Sequence, residues 1–256
     1  MNFVSEAAEN MRFTLGAMAA LKTSRSIFFE DDGNFAFATG TKAASENWAF
    51  FPSRVTEIKI KRVCSFFEEQ GLPFIWPLFP EAAENRRILE AAGMLSRGEL
   101  QVMAGAAAKN SPEKNNAHLS LTFEINNKTD SWAETAWRAF DSPPGAPGSF
   151  VKLSRGLRDS EGFFLILAKK DGLPVGTTML TMSVGSAGIY YFGTLPEERG
   201  KGIGDALLRE AMSLAFKLGR RAVTLQATPS GAPFYASRGF RPLLKLPLYS
   251  FSEEVF

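Results

Sequence analysis

The run Arg199-Gly200-Lys201-Gly202-Ile203-Gly204 points more directly to chemistry than any other part of the chain. It follows an apolar stretch of strand character, Gly188 to Leu195. It opens a segment in which Ile203, Leu207, Leu214 and Leu218 recur at helical spacing before Gly219. Backbone N–H groups at such a junction sit at the positive end of a helix dipole, and glycines let an anion approach with no Cβ in the way. Arg199 and Lys201 add cations suited to phosphate oxygens. The chemistry on offer is the binding of a phosphate or pyrophosphate. Two common loops of this kind do not fit. A nucleoside-triphosphate loop needs Ser or Thr after Gly-Lys, where Gly202 stands, and a dinucleotide loop needs a third glycine where Asp205 stands.

The rarest residues exclude other chemistry. With one histidine, His118, and one cysteine, Cys64, the chain offers no Cys/His zinc cluster and no internal disulfide, so no metal is expected. His118 reads as incidental and Cys64 as a small apolar packing residue. The 29 Lys and Arg against 27 Asp and Glu leave a net charge of +2, which does not favour a nucleic-acid partner. The N-terminal residues lack the pattern of a signal peptide, and no run of 18 apolar residues suggests a membrane span. A soluble, cytoplasmic protein is expected.

The elements that must position the glycine turn follow from periodicity. The 256 residues suit one large domain or two small ones, and the polar stretch Lys109 to Ala117 reads as a linker. The expected division is 1–112 and 117–256. Downstream come a strand (LSLTFEIN) and two helices (WAETAWRAF, SFVKLSRGL), separated by the proline- and glycine-rich DSPPGAPG. A hairpin turning at Asp171-Gly172 follows, then the strand GIYYFGTL, the glycine turn and its helix. The end reads as the strand RAVTLQAT, a short helix over Ala232 to Arg238, and a strand broken at Pro247.

Upstream the same order recurs. The strand NWAFFP, a helix carrying Ile60, Val63 and Phe67, the strand LPFIWPLFP, the helix RRILEAAGM and the strand GELQVMAGA match strand-helix-strand-helix-strand downstream. Pro52 corresponds to Pro196, Gly71 to Gly219 and Pro80 to Pro229, at separations of 144 to 149 residues. This is a diverged internal repeat. Where the second copy has PEERGKGIG, the first has PSRVTEIKI, with no glycine. The aromatic Trp48, Trp76 and Phe79 read first as core, and as a groove lining if the halves face each other. Lys59, Lys61 and Arg62 read as a solvated helix face.

The stretch Tyr191 to Leu208, YFGTLPEERGKGIGDALL, resembles motif A of the GNAT superfamily of N-acetyltransferases, with Arg199, Gly202 and Gly204 in the signature places. LQATPSGAPFYASRGF resembles motif B, including Tyr235 four residues before Gly239-Phe240. The resemblance covers Leu119 to Phe256, and the first half is similar to a degenerate GNAT-like domain without the pyrophosphate loop. It implies an α/β (α+β) fold with a mixed central sheet flanked by helices, in two GNAT-like domains in tandem. It also implies acetyl-CoA as co-substrate, held where two parallel strands splay.

On that resemblance Phe192, Gly193 and Thr194 would pair with the pantetheine arm, and Arg199, Gly200, Lys201, Gly202, Ile203 and Gly204 would take the pyrophosphate. Ser230 stands where the family often has asparagine near the pantetheine. Tyr235 would protonate the departing thiolate, or pack its ring beside CoA. The family often draws a general base from the central strand, but GIYYFGTL has no carboxylate, and Glu197 and Glu198 read as solvated charges. No general base is assigned. The expected activity is direct acetyl transfer to a primary amine, on a small molecule or a peptide. The rival reading is an acyl-CoA-binding sensor or scaffold that transfers nothing. The acceptor and the oligomeric state are not legible, a homodimer being one form open to it.

Overall fold

The computed structural model describes residues 3–29, 33–107 and 120–253. The linker stretch Lys109 to Ala117 and His118 lie outside the described residues. The first copy begins with a helix, α1 (Phe3–Ala20), whose Ala7, Met11, Leu15 and Met18 form one buried stripe at helical spacing. An antiparallel meander follows, β1 (Arg25–Phe29), β2 (Asn34–Ala38) and β3 (Asn47–Phe50). Next come α2 (Glu57–Glu68), β4 (Trp76–Pro77), α3 (Asn85–Ala91) and β5 (Leu95–Ala106). The second copy contains β6 (Leu121–Ile125), α4 (Thr129–Ala139), α5 (Gly148–Arg158) and the meander β7 (Phe163–Lys170), β8 (Leu173–Met182), β9 (Ala187–Thr194). It ends with α6 (Ile203–Lys217), β10 (Ala222–Ala227), α7 (Ala232–Ala236) and β11 (Arg241–Ser250).

The two copies exchange their last strands. The main sheet runs β4-β11-β5-β10-β9-β8-β7-β6, so β5 of the first copy pairs antiparallel with β10 of the second, and β11 of the second pairs with β4 of the first. At the centre β5 and β11 pair with each other from Arg241 opposite Ala104 to Ser250 opposite Leu95. The β1-β2-β3 meander joins this sheet through a parallel bridge between Trp48 and Ile75, as β9 joins β10 in parallel. The order on either side of the β5–β11 pair is thus the same, which is how the repeat read from the sequence appears in space. A cut in the chain at the linker is not a cut in the sheet.

Three expectations are corrected. The strand LPFIWPLFP shrinks to Trp76–Pro77 plus the bridge at Ile75, because Pro73, Pro77 and Pro80 bring no N–H to a ladder. Conversely, β11 is not broken at Pro247. That residue stays in register opposite Glu99, and its carbonyl accepts from the Leu78 N–H at 2.8 Å. Trp76 and Phe79 do not line a groove: they are buried, Trp76 completely, with its ring stacked on Phe51 at 4.5 Å. Lys61 and Arg62 are exposed and Lys59 is half-buried, the cations of Lys59 and Arg62 lying over the Phe29 ring at this surface. Cys64 is half-buried against the core of the first copy.

Three apolar cores result. One lies under α2 and α3, one under α6 and α7, and the third is shared: Phe35, Phe37, Phe50 and Ile75 of the first copy meet Trp132, Phe150, Leu165 and Met179 of the second. Helix α1 reaches across to β9 through a contact that only glycine permits, since a Cβ on Gly188 would stand 1.8 Å from Asn10 Oδ1. There Asn10 Oδ1, buried like Thr181, accepts from the Tyr190 and Thr181 hydroxyls at 3.1 and 3.3 Å.

The exchange has a direct consequence. Residues 120–253 expressed alone lack β5, leaving β10 and β11 with open edges inside what was the centre of the sheet. They are expected to be insoluble or molten by near-UV circular dichroism, and co-expression with residues 1–107 should restore a folded complex.

Candidate active site

Strands β9 and β10 run together for only three residues, Ala187 to Ile189 against Val223 to Leu225. Beyond that β9 keeps to β8 as far as Thr194 and β10 keeps to β5 as far as Ala227, so a gap opens between two strands that are each satisfied on the other side. The parting coincides with a bulge. Between the pairs Thr177–Gly193 and Met179–Tyr190 there is one residue on β8 and two, Tyr191 and Phe192, on β9. Tyr191 adopts φ 47°, a left-handed conformation costly for a bulky residue and one of the few such non-glycine positions. Thr177 and Thr178 hold the bulge by donating their hydroxyls to the carbonyls of Tyr191 and Tyr190, at 3.1 and 3.3 Å. As a result Tyr190 and Tyr191 both pack on the shared core, while Phe192 faces α6 and α7.

At the end of β9 the glycine turn leads into α6. Gly200 and Gly202 have φ 77° and 82°, and Gly202 is the N-cap with no side-chain cap. Among the described residues, the backbone N–H groups from Gly200 through Asp205 find no hydrogen-bond partner, Ala206 being the first to bond back, to Gly202. These unpaired donors surround the positive end of a 15-residue helix, which suits an anion. Ile203 is buried beneath them, and Gly204 faces the Phe234 ring at ordinary contact distance.

The side chains of the turn are engaged elsewhere. Arg199 Nη2 donates to the Ala139 carbonyl at 2.9 Å and pairs with Asp141 at 3.0 Å, closing the C-terminal end of α4, where a cation also meets the helix dipole. Lys201 pairs with Glu198 at 3.1 Å, and Arg138 with Glu197 at 2.7 Å; Glu197 is the exposed, solvated charge that the sequence suggests, and Glu198 is half-buried. Gly193 lies close to α4: a Cβ there would stand 2.7 Å from that of Ala139.

Tyr235 is 8% exposed, with its ring at 5.6 Å from Phe192, 5.2 Å from Phe234 and 5.7 Å from Phe240. Its hydroxyl has no hydrogen-bond partner among the described residues, and burial raises its pKa above the ordinary phenol range. Ser230 is exposed, its hydroxyl 3.1 Å from that of Thr228 at the end of β10.

One feature of the site has no trace in the sequence pattern. Ala44–Glu46 forms a single 3-10 turn before β3, and from it Glu46 Oε2 accepts a hydrogen bond from the Tyr191 hydroxyl at 2.7 Å. A carboxylate of the first copy thus meets the bulge of the second. Burial raises the Glu46 carboxyl to about 7, against which the Tyr191 hydrogen bond works. Nothing in the local pattern ASENW marks Glu46, because the contact depends on bringing the two copies together.

Residues 129–240 match the model of the Acetyltransferase (GNAT) family. Among solved structures, the chain is similar to a GCN5-related N-acetyltransferase from Kribbella flavida, with TM-score 0.66, 15% identity and coverage of 95% of each chain. It is similar also to a GCN5-related N-acetyltransferase from Sphaerobacter thermophilus, with TM-score 0.61, 18% identity and coverage of 97% of this chain and 91% of the other. A GCN5-related glucosamine N-acetyltransferase region of a fungal multi-domain protein gives TM-score 0.64 and 15% identity, over 97% of this chain and 36% of that one. No curated protein sequence matches the chain. These likenesses establish the fold along nearly the whole chain.

The raised Glu46 carboxyl makes a stability prediction that does not depend on any ligand. The folded protein holds this proton up to about 7, whereas the unfolded chain releases it near 4.5, so folding loses stability as pH rises between those values. Glu46→Gln cannot ionise and still accepts from Tyr191. Its urea stability should gain on the parent by about 3 kcal/mol as pH rises from 4.5 to 7.5. An unchanging difference across that range would mean that the carboxyl is not perturbed.

Proposed function

We propose that this chain, which carries a GNAT-family domain over residues 129–240 and the GNAT fold along nearly its whole length, transfers an acetyl group from acetyl-CoA directly to a primary amine. The observation that carries the reading is the pairing of two features on one strand. β9 parts from β10 at the Tyr191 bulge, and a few residues later it delivers the chain into the uncapped start of α6. A pantetheine arm lying along Phe192, Gly193 and Thr194 would meet backbone groups that have lost a neighbouring strand. Its pyrophosphate would reach the N–H groups of Gly200 through Gly204, with Lys201 beside them. Ser230 would stand across the gap, at the end of β10.

In the transfer, the amine nitrogen attacks the thioester carbonyl carbon, the C–S bond breaks, and the sulfur leaves as thiolate. Nitrogen loses two protons and sulfur gains one, so one proton passes to a base and then to solvent. Tyr235 stands on the Phe192 side of the gap, within the aromatic cluster of α7. A free thiol has a pKa of about 8.5, below that of a buried phenol, so full proton transfer from Tyr235 is uphill. Its role is to donate a hydrogen bond to the sulfur as charge develops, with solvent completing the protonation. The reading as a sensor that transfers nothing rested on the lack of a carboxylate on the central strand, and Glu46 at Tyr191 weakens that ground.

Three outcomes check this reading. Calorimetric titration should show micromolar binding of acetyl-CoA and CoA, and none of pantetheine lacking the pyrophosphate. Gly202→Ala should lower stability by about 1 kcal/mol and weaken acetyl-CoA binding more than tenfold. Gly219→Ala provides the control, since Gly219 has the same φ of 82° at the other end of α6 and should cost similar stability with no change in binding. Tyr235→Phe should lower turnover, read as thiol release over an amine panel, by more than it weakens binding.

A further inference from the structure

Given this transfer reading, on which the next step rests, we infer that Glu46 of the first copy takes the proton released by the acceptor amine at the second copy's site. The geometry carries the assignment. Tyr191 lies two residues beyond the last β9–β10 pair, inside the parting, and immediately before the Phe192–Thr194 segment. Its hydroxyl pins Glu46 Oε2 at 2.7 Å, and Oε1 has no hydrogen-bond partner among the described residues. The bulge turns Tyr191 onto the shared-core face, away from Phe192 and Tyr235. Proton acceptor and thiolate partner therefore stand on opposite faces of the sheet at β9, so that one serves nitrogen and the other sulfur without contact between them.

Elimination supports the same residue. The other carboxylates around this end of the second copy are neutralised: Asp141 by Arg199, Glu197 by Arg138, Glu198 by Lys201 and Asp205 by Arg238. Glu134 is spent on the N–H groups of Gly145 and Ala146. Glu46 faces only a phenol, and no charged side chain among the described residues acts on it. Around the pair are Trp132 of α4 and Phe150 of α5, whose rings lie 5.7 and 5.5 Å from that of Tyr191 and carry no titratable group. A carboxyl poised near neutral pH in such surroundings accepts a proton and releases it again at working pH. In the reaction the ammonium first gives one proton to solvent, the N–C bond forms as a second N–H proton passes to Glu46 Oε1, the C–S bond breaks and the thiolate takes a proton from solvent, and the protonated Glu46 returns its proton to solvent, one proton being released in all.

The test uses the full chain with acetyl-CoA and a panel of alkylamines, aminosugars and peptide N-termini, with thiol release followed from pH 5 to 9. Wild type should show an acidic limb near 7 in kcat. Glu46→Gln should lose about 100-fold or more in kcat and lose that limb, with acetyl-CoA affinity by calorimetry unchanged. Glu46→Asp should recover part of the rate. Tyr191→Phe removes the hydrogen bond that favours the ionised form, so its limb should move to higher pH. A Glu46→Gln enzyme that keeps the limb and a rate within threefold of wild type would overturn the assignment. So would wild type that binds acetyl-CoA yet releases no thiol with any amine. Wild type that fails to bind acetyl-CoA would instead defeat the transfer reading itself, and the role of Glu46 with it.

Discussion

The rest of the structure depends on the exchange of last strands, which sets β5 between β10 and β11. A strand that parts from its neighbour must find hydrogen bonds elsewhere or leave buried groups unpaired. β10 stays in the sheet after it leaves β9 because β5 holds its other edge along its whole length, from Ala222 opposite Ala106 to Ala227 opposite Gln101, while the groups it turns toward the gap are left open to a ligand. That satisfied edge belongs to the other copy. The same crossing presses the first copy's β3 region against the second copy's β9, and Glu46 arrives at Tyr191 by that route. One topological choice thus opens the gap and supplies a carboxylate beside it.

The two copies then differ where an anion would bind. In the first copy the start of α2 closes on itself, with Thr56 as N-cap and its hydroxyl oxygen accepting from the Lys59 N–H. In the second copy the start of α6 has left-handed Gly202 in the capping place, and its N–H groups face outward without partners. Equivalent positions in one repeat have therefore gone opposite ways, one toward local helix stability and one toward an open donor cradle. The bulky aromatics of the first copy, with Phe67 stacked on Phe74 at 4.1 Å and Phe51 on Trp76, fill the space beneath α2 and α3 and make that half a packing partner.

Much of this was legible in the sequence where the determinant is local. The glycine turn, the helix it opens, the Asp171-Gly172 hairpin and the repeat itself follow from residue types at fixed spacing, and the structure has them at those places. α1 and the β1-β2 hairpin escaped, since a stretch such as MNFVSEAAENMRFTLG shows only weak amphipathic character. Strand limits failed at prolines in both directions, because whether a missing N–H matters depends on which neighbour needs it. The strand exchange and Glu46 were out of reach for a different reason: they are contacts between segments far apart in the chain, 145 residues for Glu46 and Tyr191, and no local pattern encodes which copy's strand pairs with which.

Amide hydrogen–deuterium exchange with and without acetyl-CoA tests the central claim most directly, because it reports on both copies in one experiment. The account predicts that acetyl-CoA slows exchange at Gly200 to Asp205, where backbone donors are free, and along Phe192 to Thr194 beside the parting, and leaves the corresponding first-copy segment around Pro52 to Ile60 unchanged. Protection confined to the first copy, or no protection of the glycine turn in the presence of saturating acetyl-CoA, would contradict it.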